Sequence, residues 1–300
     1  MRGPAAEYLI RQRVSALRRA LPAAKAGDAT SLHQARVASR RLRAALPLVA
    51  SGPKAVKVAR SVRRITRVLG PVRELDVALL ILQELERSGE VPHAGIERLR
   101  ASIVDERQRL QAAVREHIDD FDVEKLRKRA LSAARKHDTG RKPRDAKSAA
   151  PARERVTRRA RRLAAAIENA AGLYLPDRLH DVRIAVKKLR YTLEVGSSAD
   201  PRRSARRNIA RLRTLQHAQD LLGRMHDLEV LIARTRSIQS SPGASTLKVS
   251  ADLDRLVRRL ETECRQLHGH YMATRPTLLS LCHQLMTAGK SGERVRSSAA

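Results

Sequence analysis

The sequence predicts an all-helical protein, on three observations. Aromatic residues make up only 2% of the 300 residues, with one Phe and no Trp, whereas Ala, Leu, Arg and Glu are abundant. That composition favours helices over strands. Apolar residues recur with a helical period between short breaks that contain Gly or Pro. A basic phrase also occurs twice, about half the chain apart. The chain is therefore predicted to contain two copies of one helical unit.

Breaks such as Ser51-Gly52-Pro53, Gly70-Pro71 and Ser241-Pro242-Gly243 set the predicted helix ends. In the first half the predicted helices are 5–20, 31–50, 54–69, 71–88, 94–118 and 122–136. In the second half they are 153–173, 177–195, 202–221, 223–238, 246–270 and 275–287. Each list runs parallel to the other, as a duplication requires.

The stretch between the halves is polar and lacks apolar periodicity, which is typical of a flexible linker. The end of the chain has little to bury and is predicted to be disordered. The predicted domains are a first helical bundle at 5–136, a linker at 137–152, a second helical bundle at 153–287 and a disordered tail at 288–300.

Charge and cysteine content narrow the class of partner and the compartment. The chain has 62 Lys and Arg against 31 Asp and Glu, a formal net charge of +31, which attracts polyanions and repels metal cations. Two cysteines exclude a disulfide framework and favour a reducing compartment. The start has no signal-peptide pattern, and no run approaches the roughly 20 apolar residues of a membrane span. A cytoplasmic protein without a membrane partner is predicted.

Two repeated phrases support the duplication. LHQARVASRRLR at 32–43 returns as LHDVRIAVKKLR at 179–190, and LGPVRELDV at 69–77 returns as LGRMHDLEV at 222–230. The second pair is spaced six residues further apart than the first. The loop at 196–201, longer than Ser51-Gly52-Pro53, accounts for that difference without interrupting a helix.

The spacing within each copy of the first phrase places basic side chains on one helix face. At about 100° per residue, four positions of each copy fall within an arc of roughly 80°. The first stripe consists of His33, Arg36, Arg40 and Arg43, and the second stripe of His180, Arg183, Lys187 and Arg190. Like charges one turn apart destabilise an isolated helix, so such a ladder is expected where an anion neutralises it. A solvated surface is the alternative interpretation, and the repetition favours a ligand with repeating negative charge.

The helix after each stripe supplies further basic residues. Arg60, Arg64 and Arg67 share one face before Gly70, and Arg213 and His217 occupy the matching places before Gly223. Each glycine is followed by a basic residue and a carboxylate, Arg73-Glu74 and His226-Asp227. We expect these two carboxylates to orient basic neighbours or to cap a helix start rather than to contact the ligand.

Catalytic and metal-binding patterns are missing from the sequence. His33 and His180 have no His, Cys or carboxylate at i+3 or i+4, where a helical metal site would have its second ligand. No nucleophile–base constellation, Walker sequence or Gly-rich phosphate loop is present. We therefore predict no enzyme activity, no catalytic residue, no metal site and no cofactor. A phosphoryl-accepting His33 or His180 is a third alternative, without the carboxylate cluster that phosphoryl transfer uses.

The repeated phrases resemble the CHAD domain, the conserved histidine α-helical domain, over residues 5–287. The resemblance implies two antiparallel four-helix bundles related by pseudo-twofold symmetry, with basic helices facing a central cavity that binds inorganic polyphosphate. It also implies association with polyphosphate granules, or with polyhydroxyalkanoate granules as in some relatives. Many relatives carry a CYTH triphosphatase domain ahead of this one, and no such sequence is expected here.

Carried over position by position, the resemblance implies two sets of ligand contacts. These are His33, Arg36, Arg40, Arg41, Arg43 and Arg73 in the first half, and His180, Arg183, Lys187, Lys188, Arg190 and His226 in the second. Departures from the family pattern are Glu74 and Glu229, where Asp is common, and His217, where Lys or Arg is usual. Histidine charge is expected to rise as the pH falls toward about 6.5, which predicts tighter polyphosphate binding in mild acid.

Nonspecific binding of nucleic acid is the alternative function. A net charge of +31 attracts any chain of phosphates, including the phosphodiester backbone of DNA or RNA. Because only 2% of the residues are aromatic, bases would have few side chains to stack on. The sequence therefore favours inorganic polyphosphate, with weak nonspecific nucleic-acid binding as a secondary expectation.

Overall fold

The structure, a computed structural model, describes residues 3–139, 150–197, 205–240 and 247–297. Within these ranges the protein is all-α and has no strand, which confirms the predicted fold class. Residues 140–149, most of the predicted linker, lie outside the described part of the chain. The helices are α1 (Gly3–Ala26), α2 (Ala29–Val49), α3 (Gly52–Ser88), α4 (His93–Asp119), α5 (Val123–Thr139), α6 (Ala150–Ala170), α7 (Pro176–Ser197), α8 (Ala205–Gln239) and α9 (Leu247–Ser297).

Three of these helices continue through predicted breaks. Helix α3 runs through Gly70-Pro71, α8 runs through Gly223, and α9 joins the segments predicted at 246–270 and 275–287. Those breaks are wrong, because one proline removes one backbone hydrogen bond while the apolar residues on either side, such as Leu69 and Val72, are fully buried and hold the helix in place. Helix α9 also extends to Ser297, into the segment for which the sequence predicts disorder.

The chain divides into two compact units. Of the described residues, unit 1 contains 3–139, 231–240 and 247–259, and unit 2 contains 150–197, 205–230 and 260–297. The described residues between 231 and 259 belong to unit 1, whereas the predicted boundaries assign them to the second bundle. Close contacts explain this packing: a Cβ atom on Gly95 of α4 would lie 3.0 Å from the Asp252 Cβ of α9. Arg259 of α9 also pairs with Glu90.

The core of unit 1 lies among α1 to α5. Helix α1 packs on α2 and α5, α2 packs on α3, and α3 packs on α4 and α5. Large apolar side chains such as Ile10, Leu17, Leu42 and Leu75 are completely or almost completely buried there. Burial of each such side chain stabilises the fold by about 1.5–3 kcal/mol. The apolar faces of these helices therefore determine which faces remain for the basic residues.

Unit 2 has one apolar core to which four helices contribute. Leu163 of α6, Val186 of α7, Leu215 of α8 and Tyr271 of α9 are all fully buried members of it. In α7 the core residues follow the helical period, so the stripe residues at the intervening positions face away from the centre of this core. None of the described helices is long and apolar enough to cross a membrane.

Candidate anion-binding site

Helix α2 holds the first stripe in a fixed register on α3. The Asp28 carboxylate caps the helix by accepting a hydrogen bond from the Ser31 backbone N–H at 2.6 Å. On the side facing α3, the Thr66 hydroxyl lies 3.0 Å from the Ser39 hydroxyl, and both side chains are buried. This polar contact joins α2 to α3 at a defined height. The basic residues of the two helices are therefore set at fixed positions relative to each other.

The first stripe meets a basic residue of α3, as the sequence predicts. Partial burial lowers the pKa of His33, and the charges of Arg73, Arg36 and Arg40 lower it further. Arg73 is the residue that follows Gly70-Pro71-Val72 in α3, so the second repeated phrase contributes to the same cluster as the first. His33 and Arg73 also line one groove of about 760 Å³ in unit 1. The charges of three arginines therefore act on the His33 ring.

Gly70 gives Arg36 its place against α3. The Arg36 Nη1 atom lies 3.4 Å from the Thr66 carbonyl oxygen, to which it donates. A Cβ atom on Gly70 would be only 3.1 Å from the same Nη1 atom. The sequence predicts a helix break at Gly70. In the structure Gly70 lies inside α3, and its lack of a side chain leaves room for the Arg36 guanidinium. No equivalent close approach exists at Gly223, where a Cβ atom would meet open space.

The surroundings of Arg43 include Arg63, a basic residue that the sequence analysis did not single out. Burial lowers the pKa of Arg43, and the charges of Arg40 and Arg63 add to this. Arg63 is exposed on α3 and lies three residues after Arg60. The helical period places Arg63 on the same face as Arg60 and Arg67. This spacing is the sequence signal by which Arg63 could have been identified. Arg63 belongs to the first cluster on this evidence.

The second stripe forms a tighter cluster with α8. The rings of His180 and His226 lie 4.9 Å apart between centroids, at an interplanar angle of 53°. Burial, followed by the charges of Arg183, His180 and Lys187, lowers the pKa of His226 to about 4. The pKa of His180 is lowered by burial and by Arg183 and Lys187, which outweigh the opposing effects of Asp181 and Asp177. Lys187 itself is only 8% exposed.

Other predicted contacts lie apart from these clusters. The Arg190 guanidinium donates to the Gln216 side chain and lies 3.5 Å from Glu194, so its charge is already compensated. Lys188 lines a separate groove between α6 and α7. Its equivalent Arg41 is likewise off the arc of the first stripe. The remaining predicted contacts are exposed, without a side-chain hydrogen bond or ion pair to another described residue: Arg60, Arg64, Arg213 and His217.

The expected role of Glu74 is only partly correct. It lies in the middle of α3 and so does not cap a helix start. Its carboxylate is 3.8 Å from Arg234, which is paired more closely, at 2.5 Å, with Glu106. It therefore orients a basic neighbour, but one outside the stripe.

Two carboxylates at equivalent positions of the second repeated phrase, Asp76 and Glu229, make hydrogen bonds within their units. Asp76 is almost fully buried and accepts a hydrogen bond from the Arg107 Nε at 2.6 Å. Arg107 also donates to the Gly27 carbonyl at 2.8 Å, which ties α4 to the turn before α2. Glu229, the equivalent of Asp76 in the second phrase, accepts a hydrogen bond from the Tyr174 hydroxyl. The two positions share a structural role although their partners differ.

One group of described residues brings three possible metal ligands together, namely Glu86, His93 and Glu97. The Arg100 guanidinium lies 2.6 Å from Glu86 and 3.1 Å from Glu97. Because Arg100 already pairs with both carboxylates, we interpret the group as an ion-pair network and assign it no metal.

The fold and the clusters define an all-helical protein with two sets of converging histidines and cations. The chain belongs to the CHAD domain family, whose model matches residues 8–236, and no CYTH domain is detected in it. Among solved structures it is similar to the CHAD domain from the plant Ricinus communis. That likeness has 22% identity, a TM-score of 0.62, and coverage of 95% of this chain and 91% of the other.

It is also similar to PptA from Streptomyces chartreusis, with 15% identity, a TM-score of 0.64, and coverage of 91% of this chain and 98% of the other. At these identities both likenesses show a shared fold. No curated protein sequence matches the chain.

Proposed function

We propose that this protein binds inorganic polyphosphate through its two clusters of histidines and cations and holds it without catalysis. One observation carries the proposal: the same four positions converge in both halves of the chain, where burial and then the neighbouring positive charges lower the pKa of the histidines. The equivalent pairs are His33 and His180, Arg36 and Arg183, Arg40 and Lys187, and Arg73 and His226.

Electrostatics explains why such clusters suit an anion. Like charges held close together repel each other, and that repulsion is relieved when a phosphate lies among them. Helix geometry spaces successive rungs of each stripe by about 5 Å along the axis. A chain that carries negative charge on every unit can contact several rungs at once, so its binding is strengthened by multivalency over that of a single phosphate.

Membership of the CHAD family supports the same ligand, because the residues that converge are those the family resemblance marks as polyphosphate contacts. The sparse aromatic content, 2%, gives little support to stacked bases as the ligand of the stripes. In this proposal the protein follows its ligand to polyphosphate granules in the cytoplasm.

Charge-removing variants test the proposal. Arg40→Gln with Arg73→Gln changes the first cluster, and Arg183→Gln with Lys187→Met changes the second while keeping the apolar volume of the buried lysine. Arg98→Gln with Arg115→Gln removes two charges from exposed positions of α4 and serves as the matched control. We expect each cluster variant to weaken binding of long-chain polyphosphate by about tenfold or more, which corresponds to about 1.4 kcal/mol. A control that weakens binding equally would show that only net charge matters.

Competition separates the proposal from its alternatives. We expect DNA at equal phosphate concentration to leave polyphosphate bound to the clusters, since the stripes offer no surface for bases. Displacement by DNA would favour a nonspecific nucleic-acid-binding site at the stripes. Incubation with polyphosphate and ATP is expected to leave the chain length unchanged and to produce no phosphohistidine. Shortened chains or phosphohistidine at His33 or His180 would instead indicate an enzyme.

A further inference from the structure

A second basic surface lies in unit 2, in the groove between α6 and α7. The groove has a volume of about 620 Å³, within the range of about 300–1,000 Å³ typical of ligand sites. Four cations line it: Arg159 and Arg162 from α6, and Arg178 and Lys188 from α7. The floor consists of small or aliphatic residues, among them Ala166 and Ile184.

This groove is distinct from the second stripe. At about 100° per residue, the groove-lining residues of α7 are centred about 130° around the helix from His180, Arg183 and Lys187. Lys188 therefore faces the groove, whereas its neighbour Lys187 is a buried member of the second stripe. A ligand in the groove contacts α6, which contributes nothing to the stripe clusters described above.

The α6 side of the groove carries a continuous basic band. Arg155, Arg158, Arg159 and Arg162 recur at the helical period and so share one face. Burial, followed by the charges of Arg162, Arg158 and Arg155, lowers the pKa of Arg159. The Arg178 Nη1 atom donates to the Asn169 carbonyl at 2.7 Å, which fixes the start of α7 against the end of α6. The groove is thus a preformed positive surface with a defined shape.

The remaining lining residues distinguish between polyanions. Asp181 and Asn169 lie among the cations, and the floor is apolar. A carboxylate in the groove disfavours inorganic polyphosphate, which presents negative charge continuously along its length. It is compatible with an RNA chain, in which riboses separate the phosphates, because each ribose offers a 2′-hydroxyl donor to Asp181 and apolar surface to the alanines.

We propose that the α6–α7 groove binds the phosphodiester backbone of an RNA strand, without reading its bases. The four cations contact phosphates, and Asp181 with the apolar floor faces the sugars. The lack of an aromatic residue in the groove lining fits contact with the backbone alone. This site is independent of the polyphosphate clusters and does not depend on their function.

Binding of a fluorescent single-stranded RNA of mixed sequence tests the proposal. The variant combines Arg159→Ala, Arg162→Ala and Arg178→Ala, none of which is a predicted polyphosphate contact, and the control combines Arg98→Ala, Arg115→Ala and Lys128→Ala, which removes the same charge from exposed positions. We expect the groove variant to weaken RNA binding at least tenfold. For this variant the slope of log K against log[salt] should become shallower by about 2, because each lost phosphate contact with a single strand reduces the slope by roughly 0.7. Equal weakening in the control would overturn the proposal.

A second variant and a second ligand complete the test. Ala165→Glu keeps every arginine but adds a carboxylate at an exposed position of the groove, and it should also weaken RNA binding. Both groove variants should bind polyphosphate within about twofold of the unmodified protein. If they lose polyphosphate binding as strongly as RNA binding, the groove is part of a polyphosphate surface and the proposal is wrong. Failure of the cluster variants to affect polyphosphate would refute the proposed function and leave this result unchanged.

Discussion

At the scale of single residues, the protonation state of the cluster histidines determines how polyphosphate binding should depend on pH. The pKa of His226 is lowered to about 4 by burial and by Arg183, His180 and Lys187, and that of His33 is lowered for the same kinds of reason. These rings are therefore neutral at pH 7 in the absence of an anion. Sequence reasoning expects ordinary charging near pH 6.5, because it cannot measure how closely the neighbouring cations approach.

A bound polyphosphate should restore the proton. Its negative charge opposes Arg183 and Lys187 and so raises the pKa of His226 above about 4. Proton uptake on binding means that affinity rises as the pH falls through the bound-state pKa, down to the free value. Calorimetric titrations from pH 8 to pH 5 at constant salt should show this rise, and His226→Gln should reduce it.

His283→Gln is the control for that experiment, because His283 is exposed on α9 and distant in sequence from both phrases. The expectation fails if the pH profile of polyphosphate binding is the same in both variants, or if affinity does not change with pH at all.

Residue identities show where the sequence was sufficient and where it was not. The helical period alone identifies the residues of both stripes, and the structure brings His180 and His226 together as expected. The helical period does not predict that Gln216 accepts a hydrogen bond from Arg190, because this contact depends on how α7 packs beside α8. The groove location of Lys188 depends likewise on the packing of α6.

At the scale of elements, the long helix α3 contains a glycine, Gly70, that makes room for the Arg36 side chain and does not form a turn. The sequence predicts helix breaks from Gly and Pro because both disfavour helix in isolation. In the folded protein the burial of Leu69 and Val72 outweighs that local cost. The same pattern at Gly223 leaves α8 continuous, although no side chain rests on that glycine.

The pair Gly70→Ala and Gly223→Ala separates these roles. Alanine is favoured over glycine in a helix interior by about 1 kcal/mol, so neither variant should lower the stability measured by urea unfolding. In Gly70→Ala the new methyl group would lie 3.1 Å from the Arg36 Nη1 atom, so the guanidinium has to shift by a few tenths of an ångström. We expect polyphosphate affinity to fall by about threefold or more in Gly70→Ala only. An equal affinity in both variants would mean that the position of Arg36 is unimportant.

At the scale of the whole molecule, the two units are each stabilised by their own core, and each holds one cluster. The fold class and the duplication pattern come from composition and phrase repetition, which are properties of sequence. Sequence patterns do not predict that the described residues between 231 and 259 belong to unit 1, because this depends on the close approach of α9 to Gly95. The single central cavity implied by the family resemblance stays a prediction.

Residue-resolved NMR of the histidine rings tests the central claim most directly. On addition of long-chain polyphosphate, the ring resonances of His33, His180 and His226 should shift and then saturate together. Those of His93, His117 and His283, which lie outside both clusters, should change little. Uniform small shifts across all six rings, or shifts confined to the second group, would contradict the assignment of polyphosphate to the two clusters.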